Sequence, residues 1–138
     1  MDLTQIGAAQ AAALIRKGEI SSVELTRACL DRIAAREESV QAWIFLDPDY
    51  ALRQARVADD QRASGRPLGP LHGVPVGVKD IFDTRDMPTE NGTVLHAGRR
   101  PTEDASAVAL LRAAGAVILG KTVTTELAVY TPARPQSA

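Results

Sequence analysis

The sequence is poor in the groups that commonly announce a function. It has one cysteine, Cys29, so an internal disulfide is excluded. Its surroundings resemble the apolar side of a helix, where a free thiol packs as a small hydrophobe. The two histidines, His72 and His96, stand far apart and show no ligand spacing, so no metal site is expected. No apolar run approaches membrane-spanning length, and the N-terminus lacks a basic stretch followed by an apolar core. The cytoplasm is the expected location, without a membrane partner. Charge is also unremarkable: 16 basic residues face 17 acidic ones, for a net charge of −1. Without a basic excess or stripe, no nucleic-acid partner is expected. The basic residues are spread along the chain and some sit beside acids, as in Arg36-Glu37 and Lys79-Asp80, which describes a solvated, mixed surface.

What remains is the material of one folded unit. The chain has 138 residues, 45% of them hydrophobic, enough to bury a core. Leu3, Ile6, Ala9, Ala13 and Leu14 recur at helical spacing towards Lys17, with Thr4 as N-cap and Gly18 just past the end. Ser21-Ser22-Val23-Glu24 fits a capping box opening a second helix. Trp43-Ile44-Phe45-Leu46, ended by Asp47-Pro48, reads as a strand, and a third helix follows to about Ala63. Residues 64–70 form a turn-rich connector. Beyond it the texture changes to short apolar strands, glycine turns and one good helix. That helix is expected to be capped by Asp104 and to end at Gly115, with a buried strand over residues 116–120. The division predicted is a mainly helical preface, 1–63, and the start of an α/β core, 64–138. A strand, a long connection with a helix, then a strand suggests a right-handed crossover into a parallel or mixed sheet.

The stretch Gly73-Val74-Pro75-Val76-Gly77-Val78-Lys79-Asp80 is the most informative. A lysine closing an apolar strand lies at the carboxyl edge of the sheet, where α/β folds place ligands. Residues 73, 75 and 77 on its side are Gly, Pro and Gly, which leaves space. A lysine in a pocket loses hydration, its ammonium is disfavoured, and the neutral amine can act as a base. The alternative is an ordinary strand-end lysine paired with Asp80. Local features leave both readings open.

Residues 68–80 resemble the opening block of the amidase signature family, meeting its G-[IV]-P-[IV]-x-[IV]-K-D pattern at every position. The resemblance continues through Thr89-Glu90-Asn91-Gly92-Thr93, then Asp104-Ala105 and the helix after it. It runs on through Gly115-Ala116-Val117-Ile118-Leu119-Gly120-Lys121-Thr122 and Thr125-Glu126-Leu127-Ala128, in family order. It implies an α/β fold: N-terminal helices, then the first strands and crossover helix of a larger mixed sheet. It also implies a Ser-cisSer-Lys triad in which Lys79 is the base. Lys79 would deprotonate a bridging serine, which activates a nucleophilic serine that attacks an amide carbonyl to form an acyl-enzyme. Backbone N–H groups of a glycine- and serine-rich loop would hold the oxyanion. No cofactor is implied, and the substrate is a small-molecule amide.

This sequence departs from the pattern in lacking a Gly-Gly-Ser-type cluster. Ser137 lies in a Pro-rich stretch without glycine, and Ser106 falls in the predicted helix, so neither takes the nucleophile role. Val123 stands where the family often has Asn. The chain is therefore expected to be an N-terminal portion, inactive alone. Ala128 and Tyr130 would lie near the family's substrate pocket. His72 is expected to be a hydrogen-bonded structural histidine, Asn91-Gly92 a tight turn, and Glu126 a cap or loop tie. Two further readings stand beside the amidase: a non-catalytic remnant or interaction module, self-associating through an exposed sheet edge such as residues 116–119, and the amidase subunit of a tRNA-dependent amidotransferase.

Overall fold

A computed structural model describes residues 1–129. The chain opens with a 3₁₀ turn over Leu3–Gln5, capped by Asp2 rather than entered through Thr4. Helix α1 (Ala8–Lys17) starts only after Gly7 and closes on Gly18, whose left-handed backbone (φ 74°) directs its N–H onto the last carbonyls. The expected single helix is thus broken where Asp2 competes for the first free N–H groups. Helix α2 (Ser22–Val40) carries the full capping box: Ser21 accepts from the Glu24 N–H at 3.0 Å, and the Glu24 carboxylate accepts from the Ser21 N–H at 2.7 Å. Strand β1 (Trp43–Leu46) leads into α3 (Pro48–Ala63), with Asp47 as N-cap and Pro48 in the first turn.

The remaining elements are β2 (Pro75–Lys79), α4 (Ser106–Ala113) and β3 (Val117–Thr122). Asp104 does not cap α4. Its carboxylate accepts instead from the Arg85 N–H at 3.0 Å and the Arg112 Nε at 3.0 Å, a charged partner being the stronger competitor. The three strands form one mixed sheet in the order β1-β3-β2, with β3 antiparallel to β1 and parallel to β2. This is the α/β start of a mixed sheet that the sequence predicts. The order corrects one expectation: residues 117–121 are buried in the central strand, with residues 120–122 paired to both neighbours and Ile118 held by β2 on one side and by the Gln54 side chain of α3 on the other. No strand edge is exposed there for self-association.

Apolar burial runs along both faces of the sheet. Val78, Met87, Val108 and Ile118 pack together on one side, while Leu30, Ala51 and Leu119 join α2 and α3 to the sheet. A third cluster, Ala11, Ala12, Ile15, Leu25 and Val74, docks the first two helices against the entry to β2. The register of β2 on β3 slips between Val76 and Gly77, leaving Leu119 without a partner and bringing Val78 opposite Lys121.

Two motif glycines have geometric causes. Gly73 adopts φ 74°, and an added Cβ would come within 2.9 Å of the Ser22 Cβ at the start of α2. A Cβ on Gly77 would meet the Trp43 indole at 2.8 Å. The space that the small residues seemed to leave beside Lys79 is therefore filled, at Gly77, by an aromatic ring from β1.

Candidate active site

Strand β2 delivers Lys79 to the carboxyl end of the sheet, level with Thr122 of β3 and, beyond it, Trp43 of β1. The side chain is exposed among the described residues. The desolvating pocket expected around it is not built by residues 1–129. Nor does Lys79 pair with Asp80, the alternative expectation. Asp80 is buried, and its Oδ1 lies 3.2 Å from Nζ of Lys121.

Lys121 was not singled out by the sequence reading. It is fully buried, and its ammonium has three acceptors for its three N–H bonds: Asp80 Oδ1, Thr89 Oγ1 at 2.6 Å and the Pro88 carbonyl at 3.0 Å. Burial pulls its pKa below the ordinary lysine value, and the Asp80 carboxylate opposes that fall. The signal was present in the sequence: a lysine continuing the apolar run Val117-Ile118-Leu119 must find a partner inside the fold.

The segment after β2 is tied down at many points. The Asp80 N–H donates to the Thr122 carbonyl at 2.9 Å, and Asp80 accepts from Glu90 N–H on Oδ2 at 3.2 Å and from Asn91 N–H on its carbonyl at 3.1 Å. Arg99 grips Asp83 with two hydrogen bonds of 2.6 and 2.8 Å, which hold the Asp83 carboxyl below its usual pKa. Deeper in, Arg112 bridges Asp86 (2.7 Å) and Asp104, and Tyr50 donates to Asp86 at 2.6 Å.

Asn91 and Gly92 both adopt left-handed φ, 57° and 66°, in the expected turn. Glu126 accepts from the Thr93 hydroxyl at 2.8 Å, so it ties a loop as the sequence suggested. His72 is buried, with Nε2 2.8 Å from the Ala58 carbonyl, a structural histidine as expected. Ala128 is exposed and left-handed (φ 59°) at the end of the same loop cluster. Tyr130 lies outside the described residues, as does Ser137. Ser106 opens α4. Among the described residues no cluster of His, Cys, Asp or Glu could hold a metal ion.

This arrangement presents an amine with no ion-pair partner among the described residues at a strand end, beside a loop held by a buried ion pair. Comparison with known proteins gives the wider context. The family model described as Amidase matches residues 24–136. A glutamyl-tRNA(Gln) amidotransferase subunit from Salinispora arenicola is 49% identical over 128 residues, which is 93% of this chain and 26% of that protein. The corresponding subunit from Chloroflexus aurantiacus is 48% identical over 84% of this chain and 23% of its own length. Among solved structures, the native peptide amidase of Stenotrophomonas maltophilia superposes with a TM-score of 0.81 at 42% identity, over 88% of this chain and 25% of that one. The chain thus spans about a quarter of the length of the relatives it matches.

Proposed function

Because the chain belongs to the amidase family, we propose that it forms the lysine-bearing front of an enzyme that cleaves a carboxamide through an acyl-enzyme. The observation that carries this reading is Lys79, which closes the family's opening block and stands at the carboxyl end of β2 with no ion-pair partner among the described residues. As general base it would take the proton of a bridging serine. That serine, the nucleophile and the oxyanion donors would come from residues beyond those described. Residues 1–63 would serve as the helical preface and 64–138 as the start of the catalytic domain. Ala128 and Tyr130 would border the acyl pocket. On this reading residues 1–138 turn over no amide by themselves. The reading as a non-catalytic module predicts the same silence, and a chimera separates the two. Residues 24–127 replacing their counterparts in the peptide amidase should give an enzyme that hydrolyses a peptide carboxamide and loses this activity with Lys79→Ala.

The names of the relatives favour a second reading, in which the whole protein is the amidase subunit of a tRNA-dependent amidotransferase. In that case tRNA and other protein chains are partners of the assembly, and the expectation of no nucleic acid is withdrawn for the whole protein. Among the described residues no helix is long and apolar enough to cross a membrane; a cytoplasmic setting is part of the proposal.

A further inference from the structure

Lys79 stands at the carboxyl end of the parallel pair β2 and β3. At the opposite end, between α3 and the residues that lead into the two strands, lies a cleft of about 310 Å³, within the size range of small-molecule sites. Val57, Ala116 and Val117 give it apolar walls, and the described residues that line it include two arginines and no carboxylate. Arg112 is already engaged by Asp86 and Asp104. Arg53 is exposed, sits 5.5 Å from the centre of the Tyr50 ring, and has no ion pair among the described residues. The cleft therefore keeps one uncompensated cation at its rim.

A second polar group faces it from within. His72 is only 2% exposed, and its Nε2 lies 2.8 Å from the Ala58 carbonyl. A carbonyl can only accept, so Nε2 carries the hydrogen and Nδ1 of the neutral ring is an acceptor. Among the described residues Nδ1 has no partner, yet it is not sealed off from outside. It lies on the side of Gly115, where an added Cβ would stand 3.2 Å from it, and both residues line the cleft.

We propose that this cleft binds a small amphipathic acid. Its carboxylate pairs with Arg53, its apolar body lies along Val57, Ala116 and Val117, and an O–H or N–H at its far end donates to His72 Nδ1. Tyr50 under Arg53 and Ala58 behind His72 are eight positions apart on α3, about 12 Å of helical rise. One aromatic ring between a hydroxyl and a carboxylate, with a hydrogen bond at each end, has that reach. The site is remote from Lys79 and stands whether or not Lys79 is the base.

The test is titration of the 138-residue chain, labelled with ¹⁵N-histidine, by 4-hydroxyphenylacetate at low salt. At about pH 8 an ordinary imidazole is neutral, the acid ionised and the phenol protonated. His72 and His96 are the only histidines, and a His96→Gln variant tells their signals apart. Saturable binding is expected with a Kd of about a few millimolar or tighter, the ordinary range for so small a ligand. The His72 Nδ1 signal should move to lower frequency as it accepts the hydroxyl, while that of His96 stays in place.

Two analogues dissect the site on the unaltered chain. Phenylacetate, which lacks the donor, should bind about two- to tenfold more weakly and leave the Nδ1 signal unmoved. Tyrosol, which lacks the carboxylate, should bind about two- to fivefold more weakly, the worth of an exposed ion pair. Arg53→Gln should weaken 4-hydroxyphenylacetate by that same about two- to fivefold and leave tyrosol unchanged. Any one of three results overturns the proposal: no saturable binding by about 20 mM, phenylacetate binding as tightly with Nδ1 still, or tyrosol binding as tightly as the acid. The last would describe an apolar groove that takes neutral molecules or a peptide side chain. None of these readings involves turnover, so the result is independent of the chimera.

Discussion

At the residue scale, two lysines at neighbouring sheet positions occupy opposite environments. Lys79 is exposed, with no ion-pair partner among the described residues, whereas Lys121 is buried with every N–H used. Removing one member of a buried pair leaves a lone charge in the interior, which costs about 3–5 kcal/mol. Lys121→Met should therefore lower stability by about that amount in urea unfolding, whereas Lys79→Met should change it by less than about 0.5 kcal/mol. Equal effects would show that Lys121 is not held as described. The sequence made Lys79 legible because strand periodicity and the family block both end on it. It did not make its surroundings legible. Trp43, 34 positions earlier in the numbering, fills the space over Gly77, and local sequence gives no sign of which ring will cross a strand.

At the scale of elements, helices and strands were largely readable because their ends carry local chemistry. The Ser21 capping box, the Asp47-Pro48 start and the Gly18 stop all do in the structure what their side chains favour. Ser21→Ala should cost about 1 kcal/mol in thermal or urea unfolding. No loss there would mean that α2 does not depend on its cap. Where the reading failed, a long-range charge had outcompeted a local cap: Asp104 serves Arg112 and Arg85, not the end of α4. Residues 83–99 supply a pH-dependent case. Arg99 holds Asp83 below the ordinary carboxyl pKa of 3.8. The folded state therefore binds fewer protons there than the unfolded chain. The stabilisation is present above that value and is lost as the pH falls through and below it. Because both side chains are more than a third exposed, Asp83→Asn should cost less than about 1 kcal/mol near neutrality. The difference from the parent should shrink as urea midpoints are measured at more acid pH. A difference that persists or grows in acid would exclude this pair as its source.

At the scale of the whole molecule, the fold class followed from the alternation of apolar strands with one helix, but the strand order did not. Sequence order placed residues 116–120 last, and so on an apparent edge. The antiparallel return of β1 puts β3 in the centre. Pairings across 75 or more positions, such as Phe45 with Lys121, leave no trace in local periodicity. The site is incomplete in the same physical sense. The proposed base and the loop beside it are in place, while the proposed nucleophile and oxyanion donors are not among the described residues. Carboxamide hydrolysis by the chimera bearing residues 24–127 within the peptide amidase tests this account most directly. With Lys79 present, hydrolysis of a peptide carboxamide should be measurable. Lys79→Ala should reduce kcat by at least about a hundredfold, the usual loss when a general base is removed. A Lys79→Ala chimera that turns over amide at an undiminished rate would contradict it.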